Sequence, residues 1–244
     1  MTRYLVFQLY APLASWGEEA VGEVRHSSSI PTRSALLGLL AAAVGIKREE
    51  EARLNQFNQH YYVAVRALSR QESWLRDYHT VMIPRENKKR TYATRRDELR
   101  LAPEEVGTIV TQREYRCDAY YHIALKETPQ AVLPLEALSE ALVAPHFPLY
   151  LGRKACPLAL PLSPRIIHGT LAEAFRQAER ELPDPRAPGL ASLITSNPEC
   201  YWDDPEEMSI TVYGQHKCAD QPVSRLRWQF GDRIRFHGRL GEGG

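Results

Sequence analysis

Short apolar runs with different periodicities divide the first part of the chain into predicted strands and helices. The run RYLVFQLY at residues 3–10 alternates in polarity and is soon followed by Pro12, which predicts a first β-strand. The segment PTRSALLGLLAAAVG at residues 31–45 is apolar nearly all round, begins with proline and ends with glycine, which predicts a buried helix. The polar segment REEEARLNQFNQ at residues 48–59 predicts a short surface helix.

Together with the elements above, the following runs give the order strand, helix, strand, strand, helix. Residues 61–68 and 108–125 are rich in aromatic and β-branched side chains, which favours two further strands. The segment PLEALSEALV at residues 134–143 has leucines at helical spacing, and FPLYLGRKACPL at residues 147–158 is expected to carry a final strand and its loop. The order predicts an α+β fold of ferredoxin-like type, an antiparallel sheet with helices on one face.

The last third of the chain is expected to be rich in β-structure. The segment TLAEAFRQAEREL at residues 170–182 predicts an amphipathic helix. Short strands are expected at residues 207–216, 221–230 and 232–240. We therefore expect a ferredoxin-like domain at residues 1–162 and a C-terminal portion at residues 163–244, which either extends the first sheet or forms a small second domain.

One segment of the chain is strongly basic. The whole chain has a formal net charge of +1, but RENKKRTYATRRDELR at residues 85–100 holds seven basic and three acidic residues. Its flanks are expected to be the arms of a protruding hairpin, and a basic hairpin suits phosphate contact. Tyr92 and Tyr115 add rings on which RNA bases stack. The alternative is a solvated surface loop. The candidate phosphate contacts are Arg85, Lys88, Lys89, Arg90, Arg95, Arg96 and, on the second arm, Arg113.

Three other segments offer candidate RNA contacts, each with a structural alternative. In the loop after the first strand, Trp16 and Gly17 either accept a base or anchor the packing, and Arg25 and His26 follow. Arg33 and Ser34 lie in the first turn of the buried helix, where free N–H groups favour a phosphate, unless the segment is an ordinary cap. The third segment has a glycine, which permits close approach of backbone, before two basic residues: Gly152, Arg153 and Lys154.

Several classes of protein are excluded or disfavoured. The longest apolar run, at residues 35–46, is shorter than the roughly 20 residues of a membrane span, and residues 1–10 lack signal-peptide features. We therefore expect a cytoplasmic protein with no membrane contact. The four cysteines are far apart, which favours reduced packing residues. No Walker A, dinucleotide-binding or GxSxG motif and no carboxylate cluster is present, so we expect no cofactor and no metal.

Five stretches together carry a resemblance to a known family. YAPLASWG, IPTRSALLGLLAAAVGI, LRDYHTV, QREYRCDA and YLGRKACPL occur in the order and approximate spacing of the CasD subunits of type I-E CRISPR surveillance complexes, called Cascade. These subunits belong to the Cas-five family of RAMP proteins. The resemblance covers residues 1–162 well, and beyond residue 164 it rests mainly on QPVSRLRWQF. It gives no role to the predicted helix at residues 170–182 or to residues 183–207.

The resemblance implies a fold and a function. The fold is a ferredoxin-like (RRM/RAMP-type) sheet with a long thumb hairpin, which corresponds here to about residues 77–115. The function is that of a non-catalytic subunit that holds the 5′ handle of the CRISPR RNA (crRNA). The implied partners are that handle, the Cascade backbone subunit and the large subunit, through which target DNA is contacted indirectly.

An enzyme is the alternative from another class. Relatives in type I-C systems use this fold as a metal-independent endoribonuclease that processes CRISPR repeat RNA. Such an enzyme needs a general acid and a general base at one phosphate. The candidate residues are His26, Tyr78, His79, His122 and Lys154, and no pair of them is singled out by spacing.

Overall fold

One large sheet forms the framework of the protein in a computed structural model that describes residues 1–18, 20, 22–69, 73–87, 90–182, 189–224 and 226–241. The strands described are β1 (Arg3–Ala14), β2 (Val24–Arg25), β3 (Tyr61–Ser69), β4 (Trp74–Pro84), β5 (Val106–Glu127), β6 (Arg165–His168), β7 (Ile194–Trp202), β8 (Thr211–Ser224) and β9 (Gln229–Arg239). The sheet runs in the order β6-β1-β5-β3-β7-β9-β8, and β2 and β4 pair with β5 outside this path. The fold is therefore α+β with a mostly antiparallel sheet.

Helices occupy the connections between these strands. They are α1 (Arg33–Ala43), α2 (Glu51–Gln59), α3 (Arg95–Glu98), α4 (Leu135–Val143) and α5 (Leu171–Glu181), with short 3-10 turns at Pro103–Glu105 and Leu190–Leu193. The predicted buried helix α1 begins where the Thr32 side chain accepts a hydrogen bond from the Ala35 N–H. It ends before Gly45, whose φ of +81° is easy for glycine. None of the helices in the described ranges has the length and apolar composition of a membrane crossing.

Strand β5 belongs to two parts of the molecule. Its second half lies between β1 and β3 and pairs antiparallel with both. Its first half continues beyond the body of the sheet, where it pairs antiparallel with β4 and, over two residues, parallel with β2. We call β4, the first half of β5 and the segment that joins them the arm.

Helices cover both faces of the sheet, so the prediction of helices on one face is wrong. On one face α1, α2 and α4 pack with Phe7 and Tyr121 in the main core. On the other face Tyr4 and Val6 pack with Phe175 of α5 and with Trp202. The physical reason lies in β1, where consecutive residues are buried and both faces must be shielded from water.

Several strands differ from their predicted positions. Two strands, β8 and β9, replace the three expected at residues 207–216, 221–230 and 232–240, because residues 221–230 contain the end of β8 and the start of β9. Residues 147–158 form a loop held by an isolated bridge between Tyr150 and Pro157, and the strand that pairs with β1 is β6 instead. Residues 194–202, which had no predicted role, form β7 between β3 and β9. The C-terminal strands therefore continue the same sheet as the N-terminal ones.

Candidate nucleic-acid interface

The arm is an antiparallel ribbon with a mostly exposed first strand. Its register runs from Trp74 opposite Arg116 to Pro84 opposite Val106. The side chains of β4 are exposed over most of its length on both faces. A two-stranded ribbon of this kind buries little apolar surface by itself, which suits a segment that contacts another molecule.

The basic residues at the distal end of the arm are exposed, and several contact their own chain. Arg90 forms an ion pair with Glu105, and Arg95 contacts Glu98 and the carbonyl of Met82. The Arg85 Nε donates to the Val106 carbonyl at 3.4 Å. Exposed ion pairs stabilise by only about 0–1 kcal/mol, so a phosphate is able to replace these carboxylates. Arg96 is exposed, and the candidates Lys88 and Lys89 lie outside the described residues.

Glu114 organises the base of the arm on one face of the ribbon. Its carboxylate accepts from Arg76 at 2.6 Å and contacts His26 Nδ1 at 3.1 Å. Partial burial raises the pKa of Glu114, but the hydrogen bonds from Arg76 and His26 outweigh it and leave the pKa below its ordinary value. The carboxylate therefore holds two cationic or polar side chains together at the surface.

Further basic residues converge on the same region. Arg25 and Arg113 are paired neighbours in the parallel β2–β5 ladder. The Arg153 guanidinium lies over the Tyr115 ring, 4.7 Å from its centroid, and donates to the Glu114 carbonyl at 3.3 Å. The structure thus brings residues 25–26, Arg113 and Arg153, which are distant in sequence, to the base of the arm. His26 lies on the face of Glu114, whereas Arg113 and the Tyr115 ring under Arg153 project from the opposite face. Sequence reasoning missed Arg76. This arginine lies two residues before Tyr78, so the two side chains share one face of the strand that leads to the basic segment.

Trp16 is a packing residue rather than a surface platform. Its side chain is 1% exposed, and its Nε1 donates to the Tyr121 hydroxyl at 3.2 Å. Of the two roles that the sequence left open, the geometry therefore favours the packing anchor. Gly17 next to it is exposed and pairs with Ser27 in an isolated bridge.

Arg33 is buried, so the expectation of an exposed first-turn arginine is wrong. Its guanidinium forms an ion pair with Asp203 and donates to the carbonyls of Asn58 at 2.8 Å and Tyr61 at 2.7 Å. The Arg33 N–H donates to the Asp220 carboxylate at 2.7 Å, so this carboxylate already occupies the helix start where a phosphate was expected. The sequence could not indicate this, because both carboxylates come from the distant C-terminal part of the chain. Ser34 is half-buried beside them.

An open cleft of about 2050 Å³ lies between α1, the loop at residues 147–157 and strands β8 and β9. Gly17, Ser34 and Lys154 are among its lining residues. Gly152 has a φ of +85°, and a Cβ there would lie 1.7 Å from the Ser15 carbonyl oxygen. Only glycine lets this loop approach the end of β1, and the approach brings Lys154 to the cleft. Its lysines and arginines are Lys47, Arg48, Lys154, Lys217 and Arg235.

The candidate acid and base residues of a nuclease lie in several places, although His26 and Tyr78 share the Glu114 face of the arm. His122 is buried, and burial together with the charge of Arg66 lowers its pKa to about 3. It is therefore a neutral core residue. Tyr78 and His79 are consecutive in β4 and project from opposite faces of the ribbon. Among the described residues, no group of three or more His, Cys, Asp or Glu side chains is arranged to hold a metal ion.

Comparison with known proteins assigns a family to this combination of a large antiparallel sheet, a basic arm and an open cleft. The family model described as CRISPR-associated protein (Cas_Cas5) matches residues 4–235. The chain belongs to this family.

Individual relatives agree with that assignment. The protein called CRISPR system Cascade subunit CasD of Escherichia coli (strain K12) is 38% identical over 169 residues, which cover 66% of this chain and 70% of the relative. A solved structure titled CRISPR RNA-guided surveillance complex matches 97% of this chain and 90% of its own, with a TM-score of 0.64 and 24% identity. A structure titled Crystal structure of Cas protein matches 98% of both chains, with a TM-score of 0.56 and 22% identity. The two structures show that the fold is shared.

Proposed function

We propose that this protein is a non-catalytic subunit of a Cascade-type CRISPR surveillance complex and that it binds and caps the 5′ handle of crRNA. The observation that carries the proposal is its 38% identity to the Cascade subunit CasD, together with the basic arm and the lysine- and arginine-lined cleft. In this assembly, the crRNA handle, the backbone subunit and the large subunit are its partners, and target DNA is reached indirectly. The complex acts in the cytoplasm.

The proposal gives the two regions different tasks. The arm, as the thumb of a ferredoxin-like RNA-binding unit, contacts the RNA backbone through exposed arginines that need no fixed base sequence. The cleft holds the unpaired handle near Gly17, Ser34 and Lys154. The cluster around Glu114 lies at the base of the arm and supplies positive charge there.

A salt series tests whether the arm binds phosphate. The triple variant Arg90→Ala, Arg95→Ala, Arg96→Ala should bind handle RNA more weakly than the unmodified protein. The logarithmic dependence of affinity on salt should flatten by about 0.7 for each phosphate of the single strand that the variant no longer neutralises, hence by up to about 2. A charge-matched control changes Arg165, Arg176 and Arg180, which lie on β6 and α5, and should keep the original slope. Equal slopes for the unmodified protein and the arm variant would contradict a phosphate-binding arm.

An RNA cleavage assay tests the proposal that the protein is not a nuclease. Repeat-containing RNA incubated with the purified protein should remain intact. His26 is bound to the Glu114 carboxylate, and His122 is buried and neutral. Tyr78 and His79 project from opposite faces of the arm, so the two do not act together at one phosphate. Specific cleavage within the repeat that one substitution at His26, Tyr78 or Lys154 abolishes would instead support the endoribonuclease.

A further inference from the structure

Trp228 is an exposed tryptophan at the edge of the cleft. It lies in the turn between β8 and β9, lines the cleft and exposes 63% of its surface. Trp16 and Trp202, in contrast, are buried in the core. A large apolar ring that is mostly exposed at a cleft is suited to contact with a ligand.

The backbone of Trp228 adopts an unfavourable conformation. Among the non-glycine residues that the structure describes, only Asp118, Ser163 and Trp228 have a positive φ, which is 52° for Trp228. A bulky residue in the left-handed region is an outlier, and Gly or Asn fits such a turn position better. Unfavourable backbone geometry of this kind is concentrated at functional sites. The sequence thus has a tryptophan where local conformation alone favours a smaller residue.

Neighbouring contacts hold the turn over the cleft. Ser224 hydrogen-bonds Glu51 of α2, and its Oγ accepts from the Arg227 N–H at 3.2 Å. The Arg48 guanidinium lies 5.8 Å from the centroid of the indole ring. This contact places a positive charge over one face of the ring and leaves the other face for a base.

The composition of the cleft favours a nucleic-acid strand over an apolar ligand. Among the described lining residues, five lysines and arginines face three acidic residues. One of the three, Asp220, is already bound to the Arg33 N–H and to Arg233, and one of the five, Lys217, is paired with Asp232 at 2.7 Å. Four basic residues and two acidic ones remain. The volume of about 2050 Å³ exceeds the roughly 300–1,000 Å³ typical of small-molecule pockets. Cations that follow a backbone and an exposed ring on which a base stacks are the usual elements of single-strand binding.

We propose that Trp228 stacks on one base of the single-stranded RNA that occupies the cleft. This inference rests on the proposed function, because it names a binding residue for the same RNA. It assigns to the C-terminal β8–β9 turn a direct role in RNA binding. The stack is with the base ring and does not depend on which base is present.

Binding of the full-length chain to a labelled, repeat-derived handle RNA of about 12 nucleotides tests the proposal. Trp228→Leu removes the ring, Trp228→Phe keeps a smaller ring, and Trp228→Asn suits the left-handed backbone. Leu226→Ala is the matched control, since Leu226 is 79% exposed in the same turn. A second series replaces one nucleotide at a time with an abasic one.

The expected result is a loss of affinity for Trp228→Leu and Trp228→Asn of between about fivefold and about a hundredfold, and a smaller loss for Trp228→Phe. Leu226→Ala should bind as the unmodified protein does. One abasic position should weaken binding by the unmodified protein and make no difference to Trp228→Leu. Trp228→Asn should melt at or above the temperature of the unmodified protein, since Asn tolerates the turn conformation.

Unchanged affinity in Trp228→Leu would overturn the stacking role and leave the proposed function in place. If one abasic nucleotide weakens binding by Trp228→Leu as much as by the unmodified protein, Trp228 does not stack on that base and is a packing residue. The same conclusion follows if Trp228→Asn melts at a lower temperature than the unmodified protein and its affinity still falls with the abasic nucleotide. If Trp228→Leu and Leu226→Ala both weaken assembly with another protein and not RNA binding, the turn is a protein contact and the proposal is wrong. Failure of the unmodified chain to bind the RNA would overturn the proposed function as well.

Discussion

The role of Arg33 depends on partners that are distant in the sequence. The sequence presents it as a free cation at a helix start, whereas its side chain is 6% exposed and ion-paired with Asp203. Distant parts of the chain meet at this arginine through Asp203, Asp220 and the Tyr61 carbonyl. In this structure its side chain joins distant parts of the body.

Arg33→Ala should lower the free energy of unfolding by about 3–5 kcal/mol, because it removes the nearest cation from the buried Asp203 carboxylate. The Val63 N–H and the Arg233 guanidinium at 3.9 Å remain beside that carboxylate. Urea denaturation followed by circular dichroism measures the loss. The exposed Arg25 is the control, and Arg25→Ala should change stability by no more than about 0.5 kcal/mol. Similar small effects for both variants would contradict the buried ion pair.

His122 makes stability sensitive to acid. Above its ordinary pKa of 6.5 the ring is neutral in both the folded and the unfolded chain and has no effect. Below that pH His122 is protonated in the unfolded chain, whereas in the folded chain it stays neutral down to about pH 3. As the pH falls through this range, the free energy of unfolding decreases by up to about 1.4 kcal/mol per pH unit. In His122→Gln this contribution to the slope should vanish between pH 6 and pH 4. Identical slopes in urea titrations of the two proteins would exclude it.

At the scale of elements, the loop at residues 150–157 depends on one glycine. Gly152→Ala adds a Cβ 1.7 Å from the Ser15 carbonyl oxygen at a φ of +85°, which should cost at least about 1–3 kcal/mol and displace Lys154 from the cleft. Weaker binding of handle RNA should accompany the loss of stability. Gly189→Ala is the control, because nothing lies within 4 Å of its Cβ position, its φ is −76° and it does not line the cleft. If Gly152→Ala matches the control in both measurements, the loop has no such constraint.

The elements with a clear period or cap were predictable from the sequence. Helix α1 has a proline before it and a glycine after it, and β3 and β5 are rich in β-branched and aromatic residues. Strand β7 was missed because Asn197 and Pro198 interrupt it, and it is a strand only because β3 and β9 lie on either side. The residue types of the interface were predictable, but the partners Glu114, Asp203 and Asp220 depend on tertiary contacts that no local pattern records.

At the scale of the whole molecule, the two halves of the chain share one sheet. Strand β7 pairs with β3, and α5 covers Tyr4 and Val6 of β1. Removal of residues 163–244 would expose this second core and leave Arg33 without Asp203. We therefore expect the full chain to unfold in a single transition and a 1–162 fragment to lack one.

Thermal melts followed by circular dichroism and by tryptophan fluorescence check this expectation, and the two midpoints of the full chain should coincide. A fragment that melts cooperatively near the midpoint of the full chain would indicate an autonomous N-terminal domain. Two separate transitions in the full chain would point the same way.

Because β5 is continuous from the core into the arm, the length of the arm is restricted to discrete steps. Side chains alternate along a strand, and the core fixes the register of the second half of β5. One inserted residue in the distal part of β5 would therefore turn every position of β5 beyond it, farther from the core, to the opposite face. Two inserted residues, matched by two in β4, would lengthen the arm and keep each face as it is. Homologous arms are therefore expected to differ in length by even numbers of residues per strand, except where a bulge absorbs the odd one.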